Sequence, residues 1–432
     1  MNESGASTID LTDSSLGNEN SVPRLLAFYL PQFYPFPEND EWWGKGFTEW
    51  TNVTKAQPLY HGHYQPHLPS DFGFYDLRVR ATRRDQIATA KTYGIDGFCY
   101  HYYWFSGKRL LDLPLDDMLE DPESDMPFCL CWANENWTRK WDAAENYILI
   151  SQDYNPDDDI NFIKSLIPYF TDSRYIRLEG KPFLIVYRPQ QIPDPTRTVS
   201  IWRNYCREIG VGEIHLCAAL THGNTDYEAF GFDSGVEFPP HNLDCRTIPN
   251  QFSFTHSFQG TILDYHEVAS FCLNKTYKLD QRVHHTVFPD WDNTARTGNR
   301  ALIIHGSSPA AYQSWLGQTF KKTTSKHPEQ EKLVFINAWN EWAEGCHLEP
   351  DQKFGKSYLE ATLKAKNGES GVLDLFKCSS ARSHRSGKRR FWKDISGVLA
   401  YHIAELKRKC IARLVKIERL RKVVRWLRKL VN

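Results

Sequence analysis

Several features that define large protein classes are missing from this sequence of 432 residues. No apolar run approaches the ~20 residues of a transmembrane helix, so no such helix is predicted. The N-terminus has neither the basic start nor the apolar stretch of a signal peptide, and residues 1–23 are expected to be polar and disordered. The ten cysteines form no CxxC pair, which favours a reduced, cytoplasmic protein.

Motifs for common cofactors and nucleophiles are missing as well. The chain has no Gly-rich phosphate loop, no zinc-binding spacing of Cys and His, and no nucleophilic-serine elbow. Asp290-Trp-Asp292 has the form of the D-x-D sequences that hold metal ions in many sugar transferases, but such tripeptides are common. We interpret it as a hydroxyl-binding segment with Arg296 as its charge partner, and a metal site is the weaker alternative. No cofactor and no metal are expected.

Charge is unevenly distributed, although the net charge is only −1. Residues 377–432 contain 18 Lys or Arg against 3 Asp or Glu, a net charge of +15, whereas residues 1–376 carry −16. Apolar residues recur every three or four positions from residue 391 onward, as in an amphipathic helix. We expect this basic tail to lie on an anionic membrane surface. A coiled coil and docking on the acidic body are the alternatives, and nucleic acid is the least favoured partner.

Short apolar runs recur through the middle of the chain, and each ends in aromatic and polar residues. The runs are continuous rather than alternating, which is typical of parallel strands buried on both faces. Helix-like stretches separate several of them, including one that Gly94 ends and one that Ser308-Pro309 begins. The eight candidate strands are Arg24–Leu30, Ile95–Tyr100, Pro127–Trp132, Pro182–Tyr187, Ile214–Leu220, Phe232–Phe238, His285–Phe288 and Leu333–Ala338.

Eight strand–helix units predict an α/β fold, a (β/α)8 TIM-like barrel, over residues 24–376. A doubly wound sheet is the structural alternative, but the turn after the first strand, Pro31–Pro35, has no glycine to approach a phosphate. In a barrel the active site lies where the strands end. Residues at the ends of the candidate strands are therefore the candidate site residues.

Nearly every candidate strand ends in side chains that stack on sugar rings or bond to hydroxyl groups. The loop Trp42–Trp50, with three tryptophans and a glutamate, either faces substrate or packs the barrel rim. His101–Phe105 and Trp132–Trp137 leave the same choice between binding and packing. The predicted binding residues are Tyr29, Gln32, Tyr34, Trp43, Glu49, Trp50, His101, Tyr102, Tyr103, Trp104, Trp132, Asn134, Glu135, Trp137, Arg188, Glu237, Trp291, Asp292, Arg296, Trp339, Asn340 and Trp342.

Glu341 and Glu344 are the predicted catalytic residues. Two carboxylates three residues apart reach one cleft if the segment begins a helical turn, and glycosidic cleavage needs two carboxyl groups. Crowding among Trp339 and Trp342 would raise the pKa of one carboxyl and leave the other ionised. The alternative is a pair of solvated loop acids, or one acid that pairs with a lysine.

Four motifs resemble those of WbsX-type proteins, which are usually called glycosyltransferases of bacterial O-antigen and polysaccharide clusters. These proteins are similar in turn to the endo-α-mannosidases of glycoside hydrolase family 99. The resemblance covers roughly residues 24–363 and excludes both termini. The motifs are AFYLPQFYPFPENDEWWGKGFTEWTNV (Ala27–Val53), GFCYHYYWF (Gly97–Phe105), WANENWTRKWD (Trp132–Asp142) and AWNEWAEGCHLEPD (Ala338–Asp351).

The resemblance to the mannosidases implies a (β/α)8 barrel and a retaining, endo-acting hydrolysis without metal. It implies that Glu341 acts as base on the sugar 2-hydroxyl, which attacks its own anomeric carbon. Glu344 would protonate the leaving group and then serve as base for water. This chemistry needs a 2-hydroxyl trans to the cleaved bond, as in α-mannosides and α-rhamnosides. The Trp42–Trp50 insert and the basic tail follow the WbsX-type pattern, so the substrate need not be mannan.

We therefore expect a carbohydrate-active enzyme, a hydrolase or transglycosylase that acts on a bacterial surface polysaccharide or its lipid-linked precursor. It would work in the cytoplasm, peripherally on the inner face of the plasma membrane if the tail binds lipid. A glycosyltransferase that uses an activated sugar donor is the alternative. A carbohydrate-binding scaffold without catalysis is the third hypothesis.

Overall fold

Eight parallel strands close into a barrel in the computed structural model, which describes residues 22–138, 148–255, 257–278, 281–325, 332–369 and 371. Each barrel strand pairs with the next one along the chain, and the last pairs with the first. The predicted (β/α)8 barrel is confirmed. The strands are β1 (Arg24–Tyr29), β2 (Gly97–Phe105), β3 (Phe128–Trp132), β4 (Lys181–Val186), β5 (His215–Leu220), β6 (Ser234–Glu237), β7 (Val283–Val287) and β8 (Leu333–Ile336).

Helices surround the barrel, and two of the predicted helix boundaries, at Gly94 and at Ser308-Pro309, are confirmed. The hydroxyl of Ser308 accepts the N–H of Ala311 at 3.2 Å, which caps the helix that Pro309 begins. The helix before β2 ends two residues ahead of Gly94, whose φ of +84° suits glycine. The helices are α1 (Pro37–Trp43), α2 (Glu49–Lys55), α3 (Arg80–Thr92), α4 (Leu113–Glu120), α5 (Pro156–Phe170), α6 (Pro195–Glu208), α7 (Tyr265–Asn274), α8 (Thr294–Thr297), α9 (Pro309–Thr324) and α10 (Ser357–Lys366).

Side chains on the barrel strands alternate between the barrel interior and the surrounding helices. The ring of Phe28 lies inside the barrel, 4.6 Å from Phe238 and 5.4 Å from Phe335 between ring centres. Tyr29, the next residue, points the other way and donates its hydroxyl to Gln86 of α3 at 2.6 Å. Adjacent residues on one strand therefore pack in different places, one inside the barrel and the next against the surrounding helices.

Short strands above the barrel shape the loops at its carboxyl end. Thr261–Asp264, Leu302–His305 and Trp291–Asp292 form a three-stranded sheet, which leads into α8. Asn340–Glu341 pairs with Cys346–His347 as a hairpin directly after β8. This hairpin contains the turn Trp342–Glu344, so both predicted catalytic glutamates lie on it.

Both predicted terminal segments fall almost wholly outside the described residues. The basic tail, 377–432, lies entirely beyond them, and of the N-terminal segment, 1–23, only the last two residues are included. Their predicted disorder and amphipathic helix therefore stay predictions. Within the described ranges, no helix combines the length and the apolar character needed to cross a membrane.

Candidate active site

A cavity of about 400 Å³ opens at the carboxyl ends of the barrel strands. Its walls carry aromatic rings, among them Trp43, Trp137 and Tyr187, which suit stacking on sugar rings. Nine of the predicted site residues line this cavity together. They are Gln32, Trp43, His101, Tyr103, Glu135, Trp137, Arg296, Glu341 and Glu344.

Arg296 of α8 contacts three glutamates, of which Glu341 and Glu344 line the cavity. Its Nη1 donates to Glu344 at 2.6 Å, and its Nη2 donates to Glu341 at 3.1 Å. Nη2 also lies 3.1 Å from Glu49 of α2, which comes from the predicted tryptophan-rich loop. The Arg296 side chain is 16% exposed, against 1% for Glu49, 9% for Glu341 and 22% for Glu344, so one largely buried positive charge faces two buried carboxyl groups and a half-buried one. These glutamates take the place of Asp290 and Asp292, the partners predicted for Arg296.

The two predicted catalytic carboxyls hold protons more tightly than ordinary glutamates. Burial and the charges of Glu344 and Glu49 raise the pKa of Glu341 to about 8, against the opposing effect of Arg296. Burial also raises the pKa of Glu344, which the Arg296 guanidinium again opposes. Both carboxyls bond to Arg296, and the charge of Glu344 is one cause of the raised pKa of Glu341, so the protonation of one affects the other and Glu341 holds a proton near neutral pH.

His101 and Tyr103 of β2 bring neutral polar groups to the cavity. Burial and the nearby charge of Arg296 lower the pKa of His101 to about 4, so its imidazole is neutral. The Nδ1 atom of His101 is buried without a hydrogen-bond partner among the described residues. The hydroxyl of Tyr103 accepts a hydrogen bond from Gln32 at 3.0 Å. An unsatisfied imidazole nitrogen in a cavity is suited to bind a ligand hydroxyl.

A second ion pair contains Glu135, the third acidic residue that lines the cavity. Glu135, which follows β3, pairs with Arg188, and His222 Nε2 lies 3.9 Å from the same carboxylate. Arg188 itself does not line the cavity. Its backbone N–H donates to Asn134, whose side chain returns a bond to the Arg188 carbonyl at 2.9 Å. Asn134 thus joins the ends of β3 and β4 instead of facing the cavity.

Six predicted binding residues lie outside the cavity, and five of them, all except Trp339, are direct sequence neighbours of residues that face it. The strand β2 continues to Phe105, five residues beyond its predicted end, so only every second side chain of this segment faces inward. Tyr102 donates to Ser165 at 2.8 Å, and Trp104 donates to Asp158 at 2.9 Å, both on α5. The residues in this group are Tyr29, Tyr102, Trp104, Trp132, Glu237 and Trp339.

Other predicted residues support the cavity from behind. The Asn340 side chain accepts from the N–H of Leu30 at 2.7 Å and donates to its carbonyl at 3.0 Å, which ties the hairpin after β8 to the end of β1. Trp50 contacts Trp342, 5.5 Å between ring centres, and Trp342 donates to Glu349 at 2.6 Å. The supporting residues outside the cavity lining are Tyr34, Trp50, Asn134, Arg188, Asn340 and Trp342.

Asp292 and Trp291 have a local role that differs from the predicted hydroxyl recognition. Asp292 accepts the N–H and the hydroxyl of Thr294, at 2.9 and 2.5 Å, and so shapes the start of α8. Its other oxygen lies 2.5 Å from Nε2 of His63. Asp292 and Trp291 are both buried outside the cavity lining, because the short strand that contains them packs under α8.

Several lining residues were missing from the sequence-based prediction. Tyr187 and Phe238 end the fourth and sixth predicted strand runs, so the rule that found the other residues would have included them. Asn293 and Thr297 flank Arg296 on α8 and gave no separate signal. The lining residues that were not predicted are Leu30, Asn39, Phe47, Ala133, Asn136, Leu149, Tyr187, Phe238, Asn293, Thr297 and Asn337.

Comparison with known sequences identifies the family. The family described as Glycosyltransferase WbsX matches residues 25–362, most of the described barrel. The chain belongs to this family. Two curated relatives named WxcX, from two strains of Xanthomonas campestris pv. campestris, are each 44% identical to this WbsX-family chain over 348 residues. The match covers 80% of this chain and 50% of each relative, so the chain spans about half their length.

Solved structures share the barrel at low sequence identity. A glycoside hydrolase-like protein superposes on this WbsX-family chain with a TM-score of 0.51 and 14% identity, covering 82% of this chain and 97% of the other. A GH99 endo-alpha-mannosidase from Bacteroides thetaiotaomicron gives a TM-score of 0.49 and 13% identity, covering 84% and 100%. The first similarity supports the fold.

Proposed function

We propose that this chain is a retaining, endo-acting glycoside hydrolase or transglycosylase that acts on a bacterial surface polysaccharide or its lipid-linked precursor. Glu341 takes the proton of the substrate 2-hydroxyl, whose oxygen attacks the anomeric carbon and forms a 1,2-anhydro sugar. Glu344 gives its proton to the departing glycosidic oxygen. Water, or an acceptor hydroxyl, then opens the anhydro ring as Glu344 takes its proton, and Glu341 returns a proton to O2.

The observation that carries this proposal is the pair of buried carboxyls on one guanidinium. An acid–base mechanism needs one protonated and one ionised carboxyl at the same pH. Glu341 and Glu344, both bonded to Arg296, meet this need because burial makes the loss of the second proton costly. The pKa of Glu341, raised to about 8, favours a proton there before substrate binds. The proposed roles therefore require substrate binding to transfer this proton to Glu344.

A glycosyltransferase is the second candidate, and the description of the matching family favours it. The charges of the cavity argue against a nucleotide-sugar donor. Among the described lining residues, Arg296 alone is cationic, and it already faces the carboxyls of Glu341 and Glu344, while Glu135 adds a further acid. A diphosphate placed there would meet more negative than positive charge.

The proposal is tested on a panel of α-mannosyl and α-rhamnosyl oligosaccharides with the full chain. We expect release of new reducing ends, with NMR detecting retained configuration at the anomeric carbon. Glu341→Gln and Glu344→Gln should each lower kcat by about 10² or more, because each substitution removes one proton transfer. Full activity of both variants would contradict the proposed mechanism. Release of nucleoside diphosphate from nucleotide-sugar donors, without hydrolysis of any oligosaccharide, would favour the transferase.

Aryl glycosides separate the roles of the two glutamates. A good leaving group needs no protonation, so Glu344→Gln should keep most of its activity on such substrates, whereas Glu341→Gln should not. The opposite pattern would make Glu341 the acid and Glu344 the base, and the mechanism with two paired carboxyls would still hold. Asp290→Asn serves as a matched control, because Asp290 is acidic and close in sequence to Arg296 but does not line the cavity.

A further inference from the structure

Three buried side chains behind the candidate active site converge on one point. They are His67, from the segment between α2 and α3, with His347 and Asp351, which follow Glu344. One ligand atom from each lies within 4.8 Å of the other two, and each residue is only 4–6% exposed. Two imidazoles and one carboxylate, closely spaced and shielded from water, are the donor types that zinc prefers.

Hydrogen bonds to neighbouring groups orient these side chains as ligands. His347 Nδ1 donates to the backbone carbonyl of Glu349 at 2.9 Å, so its Nε2 carries the lone pair in the neutral ring. That Nε2 faces His67 Nδ1 at 3.0 Å. Asp351 accepts the hydroxyl of Tyr64 at 3.1 Å. Metal-binding histidines and carboxylates have supporting bonds of this kind, which fix the tautomer and the ring orientation.

We propose that His67, His347 and Asp351 bind a divalent cation of the zinc type, which has a structural role. The alternative is a hydrogen bond from His67 Nδ1–H to His347 Nε2, with no metal. Without metal, the His67 proton satisfies the lone pair of His347, and the Asp351 carboxylate accepts hydrogen bonds from the Tyr64 hydroxyl and the Phe354 N–H. A zinc ion would bind the lone pairs of both histidines and the carboxylate. Its fourth ligand would be a water molecule or a neighbouring polar side chain.

The site would connect two segments that are far apart in the chain. His67 and His347 are separated by 280 residues. The ring of His347 lies flat on the indole of Trp342, 3.7 Å between centres with an interplanar angle of 13°. Trp342 opens the turn that ends at Glu344. A metal bound to His347 would therefore restrain the hairpin that holds both glutamates, and none of the three proposed ligands lines the cavity.

The test uses the full chain without a polyhistidine tag, stripped with a chelator and then incubated with zinc. We expect about one zinc ion per chain by mass spectrometric metal analysis, and a melting temperature that falls on stripping and recovers with zinc. His67→Gln and Asp351→Asn should each lower the bound zinc at least about tenfold. His61→Gln is the matched control, because His61 lies on the same segment but is exposed, and it should keep the zinc.

Cobalt substitution tests the ligand set without a variant, in case the variants fail to fold. The wild-type chain loaded with Co²⁺ should have visible absorption typical of nitrogen and oxygen ligands, without the sulfur-to-metal charge-transfer band that cysteine ligands give. A sulfur band would overturn the assignment, as would zinc retained at wild-type levels by a folded His67→Gln variant. Absence of bound zinc and of any zinc-dependent rise in melting temperature would leave the hydrogen-bonded histidine pair as the correct interpretation.

Discussion

Removal of the Arg296 charge should shift the pH dependence of catalysis upward. Arg296→Met replaces the apolar stem of the arginine with an unbranched apolar side chain. It removes the cation that opposes the raised pKa of Glu341 and of Glu344. Two unit charges about 4 Å apart interact by about 4 kcal/mol at an effective dielectric constant of about 20. One pKa unit corresponds to about 1.4 kcal/mol, so the pKa of each carboxyl should rise by about 1 to 3.

The consequence is a loss of rate that returns at higher pH. The pKa of Glu341 would lie above its wild-type value of about 8 and that of Glu344 would rise further, so fewer pairs would have an ionised carboxyl at pH 7 and kcat/KM should fall by about 10 to 10³. The acidic limb of the pH–rate profile should move upward by the same amount. NMR titration of ¹³C-labelled glutamate reads the same pKa values without a substrate. Arg296→Lys retains the charge and should give a much smaller shift.

Arg188→Met is the matched control for this experiment. Arg188 pairs with Glu135, and it is absent from the groups that contact Glu341 or Glu344. Its removal should leave the acidic limb in place, although substrate affinity can change through Glu135. An acidic limb that stays at the wild-type position in Arg296→Met would refute the reasoning, because it would mean that the guanidinium does not set the proton affinity of the pair.

Three further predictions concern stability, the aromatic residues and the tail. Because the pKa of Glu341 is higher in the folded chain than its usual 4.5, its contribution to stability falls as pH rises from about 4.5 to about 8. Calorimetry should find Glu341→Gln with a melting temperature above that of the wild type, by a margin that widens over this interval; a constant margin would contradict the raised pKa. Trp137→Ala, at the cavity, should raise KM with little loss of stability, whereas Trp132→Ala, fully buried, should cost about 3–5 kcal/mol of unfolding free energy; equal effects on KM would contradict the described orientations. Sedimentation with vesicles should detect salt-sensitive binding to anionic lipid that truncation after about Lys377 abolishes; equal binding of both forms would refute the proposed membrane contact.

The barrel could be predicted from the sequence because its strands are continuous apolar runs. Strand ends were also predictable to within a few residues, and with them the neighbourhood of the cavity. The direction in which each side chain faces could not be predicted, because in β2 it depends on whether the strand stops at Tyr100 or continues to Phe105. The sequence favoured the earlier end, since polar residues begin at His101. The structure continues the strand, so Tyr102 and Trp104 face helices.

Contacts between distant segments explain the other differences. Arg296 and Glu49 are 247 residues apart, and nothing in either local sequence indicates the other. The prediction therefore paired Arg296 with its neighbour Asp292, which bonds to His63 and Thr294. The same reasoning applies to His67 and His347, which have no short spacing that a motif search detects. The tail partner, the terminal segments and the roles of the site residues stay predictions.

Because side chains alternate along β2, a substitution there changes either the cavity or the packing against α5, depending on its position. His101 and Tyr103 face the cavity, whereas Tyr102 and Trp104 are bonded to α5, so neighbouring positions are constrained by different contacts. Libraries that vary only residues 101 and 103 can explore new sugar preferences while the packing against the helix is kept intact. In a library over the whole segment, substitutions at residues 102 and 104 would unfold most variants, so few folded variants would remain to be assayed.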